Sequence, residues 1–271
     1  MPIEKTENFE INYIDEGDGF PIFLIHGLVG DHTAWTTQIS VLKEKYRMIA
    51  VDNPGSGGSS PVTGPCTTEE LADMMLSLMD KLGIEKAHIL GRSLGGLIGQ
   101  HMALRGPDRV HSLVMTAATP KVDPIGTRIL ENMREILEWR DNWSDWARHS
   151  AHAFVTPQFY NENPEAMSNI VALVSNEALS KISYINLNNT ALAHDTTEQL
   201  KNINCPTLIM AGRLDPICGM VGTNKMTASI SNVETVIFEK SSHFFMIEEA
   251  EKSMNTLIDW FGRHTPKNAL K

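Results

Sequence analysis

Short apolar runs alternate with helical patterns along most of the chain, and this alternation limits the fold more than any other feature. Runs such as PIFLIHG, YRMIAVD and VHSLVMTAA are separated by segments such as TTEELADMMLSLMDKLG. Strands that read as apolar throughout belong to parallel sheets, because the crossover helices cover both faces of such a sheet. The sequence therefore predicts an α/β fold with a mostly parallel central sheet and helices on both faces.

One long helical stretch interrupts this alternation. Between residues 121 and 195 the chain has helical patterns such as IGTRILENMREILEW and no convincing strand, and the alternation resumes afterwards. The stretch is too long to be a plain loop. We therefore predict an α/β core formed by residues 1–120 and 196–271, with residues 121–195 inserted as a helical cap.

The composition and the lengths of the apolar runs argue against several classes of partner and location. The net charge of −10 disfavours a polyanion such as nucleic acid as the main partner. Three scattered cysteines are typical of a reducing compartment rather than of a disulfide framework. The N-terminus has no apolar stretch, and no run approaches the roughly 18 residues that a membrane span needs. We expect a cytoplasmic protein that acts on a small molecule and not at a membrane, and leave its oligomeric state open.

A glycine-rich turn with the pattern G-x-S-x-G, Gly91-Arg92-Ser93-Leu94-Gly95, separates an apolar strand from a helix. In this context the pattern is typical of a nucleophile elbow, in which the serine takes a strained conformation and the glycines make room for a sharp turn. The serine oxygen then projects at the N-terminus of the next helix, which favours negative charge. We therefore predict that Ser93 is a nucleophile.

A serine nucleophile needs a base and a group that orients the base. Both are expected at the carboxyl ends of later strands, where ligands bind in open α/β sheets. Asp215 follows the strand in LIMAGRLDPIC, and His243 follows the last strand in VIFEKSSHFFM. Proteins with this elbow carry their triad residues in the chain order serine, aspartate, histidine. An alternative acid, Asp123, lies several residues beyond its strand, so we predict a triad of Ser93, His243 and Asp215.

The tetrahedral intermediate of such a reaction needs hydrogen-bond donors. The strand in FLIHGLVG ends in a His-Gly loop, where the glycine frees the backbone to turn inward. We assign the backbone N–H groups of Leu28 and Leu94 as the oxyanion hole. His26 is expected to tie this loop structurally rather than to act in catalysis.

The pieces HGLVGDHTAW, VDNPGSGGSS, GRSLGG, AGRLDPI and SSHFF together resemble the α/β-hydrolase superfamily over nearly the whole chain. The sequence looks most like the esterases and lactonases around 3-oxoadipate enol-lactonase, and it is similar to the carbon–carbon bond hydrolases of aromatic degradation. Serine at position 93 departs from the haloalkane dehalogenases and epoxide hydrolases, which carry aspartate there. The resemblance implies a serine hydrolase without a cofactor, acting on a small ester or lactone.

Two alternatives stay open at this point. The same triad can serve the hydrolysis of a carbon–carbon bond in a diketone or ring-cleavage product. A protein of another class, a ligand receptor that keeps the fold and triad for binding, would resemble some plant and bacterial signalling proteins. Fast multiple turnover would speak against the receptor.

Arg92, Trp143 and Trp146 are the candidates for the substrate pocket. Arg92 is suited to bind a substrate carboxylate through a bidentate pair. The reading that we favour from the sequence is that Arg92 points away from the pocket and pairs with a nearby acid. Both tryptophans fall in the predicted cap, which is expected to set substrate choice, although packing of the cap explains them equally well.

Two histidines of the predicted cap, His149 and His152, are spaced so that both can contact one metal ion. No third ligand is evident, and a solvated helix face explains the pair more simply. We therefore expect neither a metal nor a cofactor.

Overall fold

A computed structural model describes residues 3–5, 9–175 and 179–267 of the chain. The strands are β1 Ile3–Lys5, β2 Glu10–Glu16, β3 Phe20–Ile25, β4 Tyr46–Val51, β5 Ala87–Arg92, β6 Val110–Thr116, β7 Thr207–Gly212 and β8 Val233–Phe238. They form one sheet in the order β1-β2-β4-β3-β5-β6-β7-β8. The first two strands pair in an antiparallel manner, and β3 to β8 are parallel to one another. The predicted mostly parallel sheet is confirmed.

The two helical patterns quoted above, TTEELADMMLSLMDKLG and IGTRILENMREILEW, both form helices. The α-helices are α1 Thr36–Leu42, α2 Thr68–Lys81, α3 Leu94–Arg105, α4 Pro124–Arg140, α5 Trp143–Ser150, α6 Pro157–Glu162, α7 Pro164–Val174, α8 Lys181–Ala193, α9 Met220–Ser229, α10 Phe245–Glu248 and α11 Ala250–His264. Five of them, α4 to α8, lie between β6 and β7. In the part of the chain that the structure describes, no helix combines the length and the apolar character needed to cross a membrane.

Side chains of the sheet alternate between two apolar cores, one on each face. In β3, Phe23 and Ile25 pack on the face that α2, α3 and α9 cover. Ile22 and Leu24 of the same strand pack on the face that α1 and α11 cover. All four side chains are fully buried. Because both faces are covered, every position of the strand is apolar, which is why the sequence shows continuous runs rather than alternation.

Helix starts are fixed by local chemistry. Thr67 caps α2, because its side chain accepts a hydrogen bond from the N–H of Glu70 while the Glu70 carboxylate accepts one from the N–H of Thr67. At α4, the Asp123 carboxylate accepts a hydrogen bond from the N–H of Gly126 at 2.9 Å, and Pro124 occupies the first turn. Such caps commonly stabilise a helix by about 1 kcal/mol.

The helical insert leaves the sheet and returns to it at one place. Lys121 and Asp195 form an isolated antiparallel bridge, and the Lys121 Nζ lies 2.8 Å from the Asp195 Oδ2. Farther along, the Ser183 hydroxyl of α8 accepts a hydrogen bond from the N–H of Val62 at 3.0 Å. The first contact joins the two ends of the insert, and the second holds the insert on the loop that precedes α2.

His88 lies in the middle of β5 and is fully buried. Its Nδ1 is 2.7 Å from the Ser112 hydroxyl, and its Nε2 is 2.9 Å from the Thr265 hydroxyl. Burial, with smaller contributions from His111 and His264, lowers the pKa of His88 to about 3. The imidazole is therefore neutral in the folded protein over the whole physiological range.

We predict that His88 makes the protein less stable in mild acid. In the unfolded chain a histidine binds a proton near pH 6.5, so stability is complete above that pH and falls as the pH drops toward the folded-state pKa of about 3. Between pH 7.5 and pH 5.0, His88 should contribute about 2 kcal/mol to the fall in the free energy of unfolding. Urea titrations at both pH values should show that His88→Gln lessens this fall.

The exposed His152 provides the control. The variant His152→Gln should lose as much stability between the two pH values as the wild type. An equal pH-dependent loss in His88→Gln and the wild type would contradict the assignment.

Candidate active site

Ser93 lies at a sharp turn between the end of β5 and the start of α3. Its backbone has φ 52° and ψ −119°, a conformation that residues with a side chain rarely adopt. The N–H of Ser93 donates to the carbonyl of Thr116 on the neighbouring strand at 2.9 Å, and the Ser93 carbonyl accepts from the N–H of Gly96 at 2.8 Å. The strained turn is thus held on both sides by backbone hydrogen bonds.

Both glycines of the G-x-S-x-G pattern are required by close backbone contacts. A Cβ on Gly91 would lie 2.2 Å from the carbonyl oxygen of Gly95. A Cβ on Gly95 would lie 2.0 Å from the carbonyl oxygen of Ile25, at the end of β3. Neither position has space for a side chain, so the pattern follows from packing at the elbow.

Asp215 and His243 meet in the loops after β7 and β8. The Nδ1–H of His243 donates to the Asp215 Oδ2 at 2.8 Å, and both side chains are almost completely buried. The other oxygen of Asp215 accepts hydrogen bonds from the N–H groups of Ile217 at 2.8 Å and Cys218 at 3.0 Å. The carboxylate is therefore fixed on one side by the backbone and orients the imidazole with the other.

Asp123 does not join this pair. Its carboxylate caps α4 by accepting the N–H of Gly126. The structure thus gives Asp123 a local role and places Asp215, the predicted acid, beside His243.

The two predicted oxyanion donors lie on either side of the elbow. Leu94 is the first residue of α3, so its N–H has no acceptor within the helix. Leu28 follows Gly27, and a Cβ on Gly27 would lie 3.4 Å from the Cβ of Ser93. Leu28 and Ser93 line the same cavity. The arrangement brings the loop after β3 close to the serine.

His26 ties this loop to the next one. Its Nδ1–H donates to the Gly27 carbonyl at 2.8 Å, and its Nε2 accepts the N–H of Asn53 at 3.0 Å. The Asn53 amide in turn donates to the His26 carbonyl at 2.9 Å. Burial lowers the pKa of His26 to about 4, which keeps it neutral. This is the structural position that the sequence predicted for His26.

A small cavity brings Ser93 and His243 together. It has a volume of about 40 Å³, which is room for about three water molecules. The polar side chains of Ser93 and His243 line it together with Arg92, and most of the remaining wall is apolar. Among the residues that the structure describes, the Ser93 hydroxyl has no hydrogen-bond partner. Because Nδ1 of His243 is held by Asp215, only its Nε2 is left to interact with a nucleophile.

The predicted pocket residues divide into two groups. Trp146 lines the cavity, and its indole N–H donates to the Met133 carbonyl at 2.8 Å. Trp143 does not reach the cavity; its ring packs edge-on against Trp146 and Tyr184 at 5.5 Å from each. Trp143 therefore supports the wall instead of forming it, and the expectation that it lines the pocket needs this correction.

Arg92 also lines the cavity, contrary to the reading that we favoured from the sequence. Its side chain is buried, and no ion pair with an acid is found for it in the described ranges. The guanidinium instead packs between aromatic rings, with Cζ 5.8 Å from the centre of Trp35 and 5.3 Å from that of Phe244. Those rings come from distant parts of the chain, so no local pattern indicated this position.

Sequence reasoning missed three aromatic side chains of the cavity wall: Phe154, Tyr184 and Phe244. Phe154 and Phe244 stack at 4.7 Å and connect the insert to the loop that carries His243. Phe244 directly follows the histidine, and that adjacency was the one available signal. Nothing in the sequence around Tyr184 distinguished it from the other residues of its helix.

Glu248 joins the same two parts of the chain. One carboxylate oxygen accepts the N–H of Thr156, in the insert, at 2.7 Å, and the other accepts the N–H of Ser242 at 2.6 Å. The loop that carries His243 is therefore held against the insert by a charge-assisted bridge.

Two clusters in the described residues bring metal-binding side chains together: Asp215 with Cys218 and His243, and Asp31 with His32 and Asp52. The first contains the paired imidazole and carboxylate described above. In the second, Asp52 accepts hydrogen bonds from backbone and side-chain donors, including the N–H and Nδ1 of His32. The two histidines considered as metal ligands, His149 and His152, are exposed and belong to neither cluster.

Comparison with known proteins identifies the family. A family model for the alpha/beta hydrolase fold matches residues 21–250. A putative carbamate hydrolase RutD from Azorhizobium caulinodans is 27% identical, with 90% of this chain and 92% of that protein covered. The 3-oxoadipate enol-lactonase 2 of Acinetobacter baylyi is 26% identical, with 91% of each covered. A thermophilic esterase from Thermogutta terrifontis has a TM-score of 0.83 at 26% identity, with 95% of each chain covered. The chain belongs to the α/β-hydrolase fold family.

Proposed function

We propose that this protein is a serine hydrolase that cleaves a small carboxylic ester or lactone through Ser93, His243 and Asp215. The observation that carries the proposal is the presence, at one small cavity, of a strained serine elbow and a histidine hydrogen-bonded to a buried carboxylate. The relatives named carbamate hydrolase and enol-lactonase act, by those names, at acyl carbons. Their names support the same class of reaction.

In the proposed acylation step, the Ser93 Oγ attacks the carbonyl carbon of the bound ester. His243 accepts the hydroxyl proton at Nε2, and Asp215 stabilises the imidazolium that forms. The oxygen of the tetrahedral intermediate accepts hydrogen bonds from the N–H groups of Leu28 and Leu94. One such donor typically contributes about 2.7–4 kcal/mol in the transition state.

The intermediate then collapses. His243 gives its proton to the leaving oxygen, the bond between carbonyl carbon and that oxygen breaks, and the acyl group stays on Ser93 as an ester. A water molecule that His243 deprotonates attacks this acyl group, and the proton returns to the Ser93 oxygen as the acid leaves. Only side chains, backbone N–H groups and water take part.

We further propose that residues 121–195 act as a cap that sets substrate choice. Trp146 and Tyr184 of this segment line the cavity directly. Changes in these two side chains would therefore alter the shape of the space beside Ser93.

Removal of the Ser93 hydroxyl tests the nucleophile. Ser93→Ala should lower turnover of the best substrate in a panel of esters, lactones and diketones by at least about 10⁴-fold, because the attacking atom is lost. An organophosphonate should label the wild type at Ser93, as read by peptide mass spectrometry. The control Ser253→Ala, in a buried helix position outside the cavity, should keep its turnover. Labelling at another residue, with activity kept in Ser93→Ala, would refute the assignment.

Substitution of Asp215 and of Asp123 separates the two candidate acids. Asp215→Asn should keep the geometry but favour the wrong imidazole tautomer, a change that lowers turnover by about 10⁴ in a comparable triad. Asp123→Asn removes only part of a helix cap and should lower turnover less than about threefold. Steady-state kinetics of both variants on one activated ester decide between them. A near-normal rate for Asp215→Asn would rule out the triad.

A substitution in the cavity wall tests whether the proposed cap sets substrate choice. Trp146→Leu should enlarge the cavity and raise the ratio of kcat/KM for a hexanoate over an acetate ester by about tenfold, because added methylenes gain an apolar site. The pH dependence of kcat should not move. Trp139→Leu, at a position that is 81% exposed, provides the matched control and should leave the ratio unchanged. An unaltered ratio in Trp146→Leu would show that this wall does not set acyl selectivity.

A further inference from the structure

The proposed reaction assigns no role to Arg92, although this residue lies directly beside the nucleophile. Among the described residues that line the cavity, Arg92 is the one permanently charged side chain, and no carboxylate is in the lining. The Nε of Arg92 would lie 3.9 Å from a Cβ built on Gly27, in the loop that also carries Leu28. The guanidinium is thus placed next to the reacting centre and not behind it.

This guanidinium has no polar partner in residues 3–5, 9–175 and 179–267. Its close neighbours are the rings of Trp35 and Phe244. Aromatic rings contact a guanidinium through its face, whereas its five N–H donors lie in its plane. The indole N–H of Trp35 is also buried without a partner. The in-plane N–H donors of Arg92 are therefore available to an acceptor that a ligand supplies.

A buried cation without a counter-ion is strongly destabilising. Burial lowers the pKa of Arg92 to about 10, so the side chain is still charged at neutral pH. A ligand that brought a negative charge into the cavity would offset this cost on binding. Guanidinium pairs most strongly with planar two-oxygen anions, because two parallel hydrogen bonds form at once.

We propose that Arg92 binds a carboxylate of the substrate, so that the enzyme selects small acidic esters or lactones. The inference rests on the proposed function, since it names the substrate class of the same site. The Ser93 Cβ and the Arg92 Nε would lie 3.4 Å and 3.9 Å from the same Cβ built on Gly27, so the carboxylate and the scissile carbonyl are separated by only a few atoms.

The test compares acidic esters with neutral esters of the same shape. The acidic set contains monomethyl malonate, succinate and glutarate, with O-acetylglycolate to place the carboxylate in the leaving group. Each has a neutral partner in which an isopropyl group replaces the carboxylate. The wild type should prefer the best acidic ester, and Arg92→Met should lower the ratio of kcat/KM for the acidic over the neutral ester by about 10- to 100-fold. Arg92→Lys keeps the charge but lacks the two parallel N–H donors of the guanidinium, and should give an intermediate ratio.

A surface arginine controls for the change in net charge. Arg105→Met removes a cation from an exposed ion pair with Asp73 on the helix that follows Ser93, and should leave the ratio unchanged. If Arg92 instead stabilised the oxyanion, both esters would lose the same factor and the ratio would not move. An unchanged ratio in Arg92→Met overturns the proposal.

Binding measured without turnover separates this inference from the proposed function. By titration calorimetry, Ser93→Ala should bind the preferred acidic ester at least about tenfold more tightly than Ser93→Ala with Arg92→Met. Such binding without any turnover in the wild type would contradict the proposed hydrolase and leave the carboxylate site standing. Turnover that depends on Ser93, together with equal binding by the two variants, would support the proposed hydrolase and overturn the carboxylate site.

Discussion

The contact between the start of α3 and the end of β3 is the constraint on which the site depends. The backbones approach so closely that a side chain at Gly95 would overlap the carbonyl of Ile25. This approach sets Ser93 in its strained conformation and brings the loop with Leu28 to the first turn of α3. Any side chain that forced helix and strand apart would displace the serine and both candidate donors together, which is why glycine occupies position 95.

The sheet and the candidate triad were predictable for the same physical reason. Strands buried on both faces have continuous apolar sequences, so their ends can be found without a structure. In a parallel sheet the carboxyl ends lie at one edge, and Ser93, Asp215 and His243 each follow such an end. Their catalytic roles remain predictions, but the contact between His243 and Asp215 is the one that their positions implied.

The cavity wall was not predictable to the same extent. The position of the Arg92 guanidinium depends on rings from Trp35 and Phe244, which only the folded chain brings together. In the insert, α8 buries Tyr184 although its sequence, KISYINLNNTALA, has no clear apolar face. Helix α8 is buried through polar contacts with the loop before α2 as well as through apolar packing. The spacing of apolar residues in the sequence does not reveal such polar contacts.

The meeting of Lys121 and Asp195 has a consequence for how such a chain changes over evolutionary time. Because the two ends of the insert are already paired, β6 and β7 do not depend on its length to keep their spacing. A longer or shorter helical segment can be exchanged at this junction with little change in closure entropy. The edge of the sheet that carries Ser93 and the side chains of the insert can therefore diverge at different rates within one polypeptide.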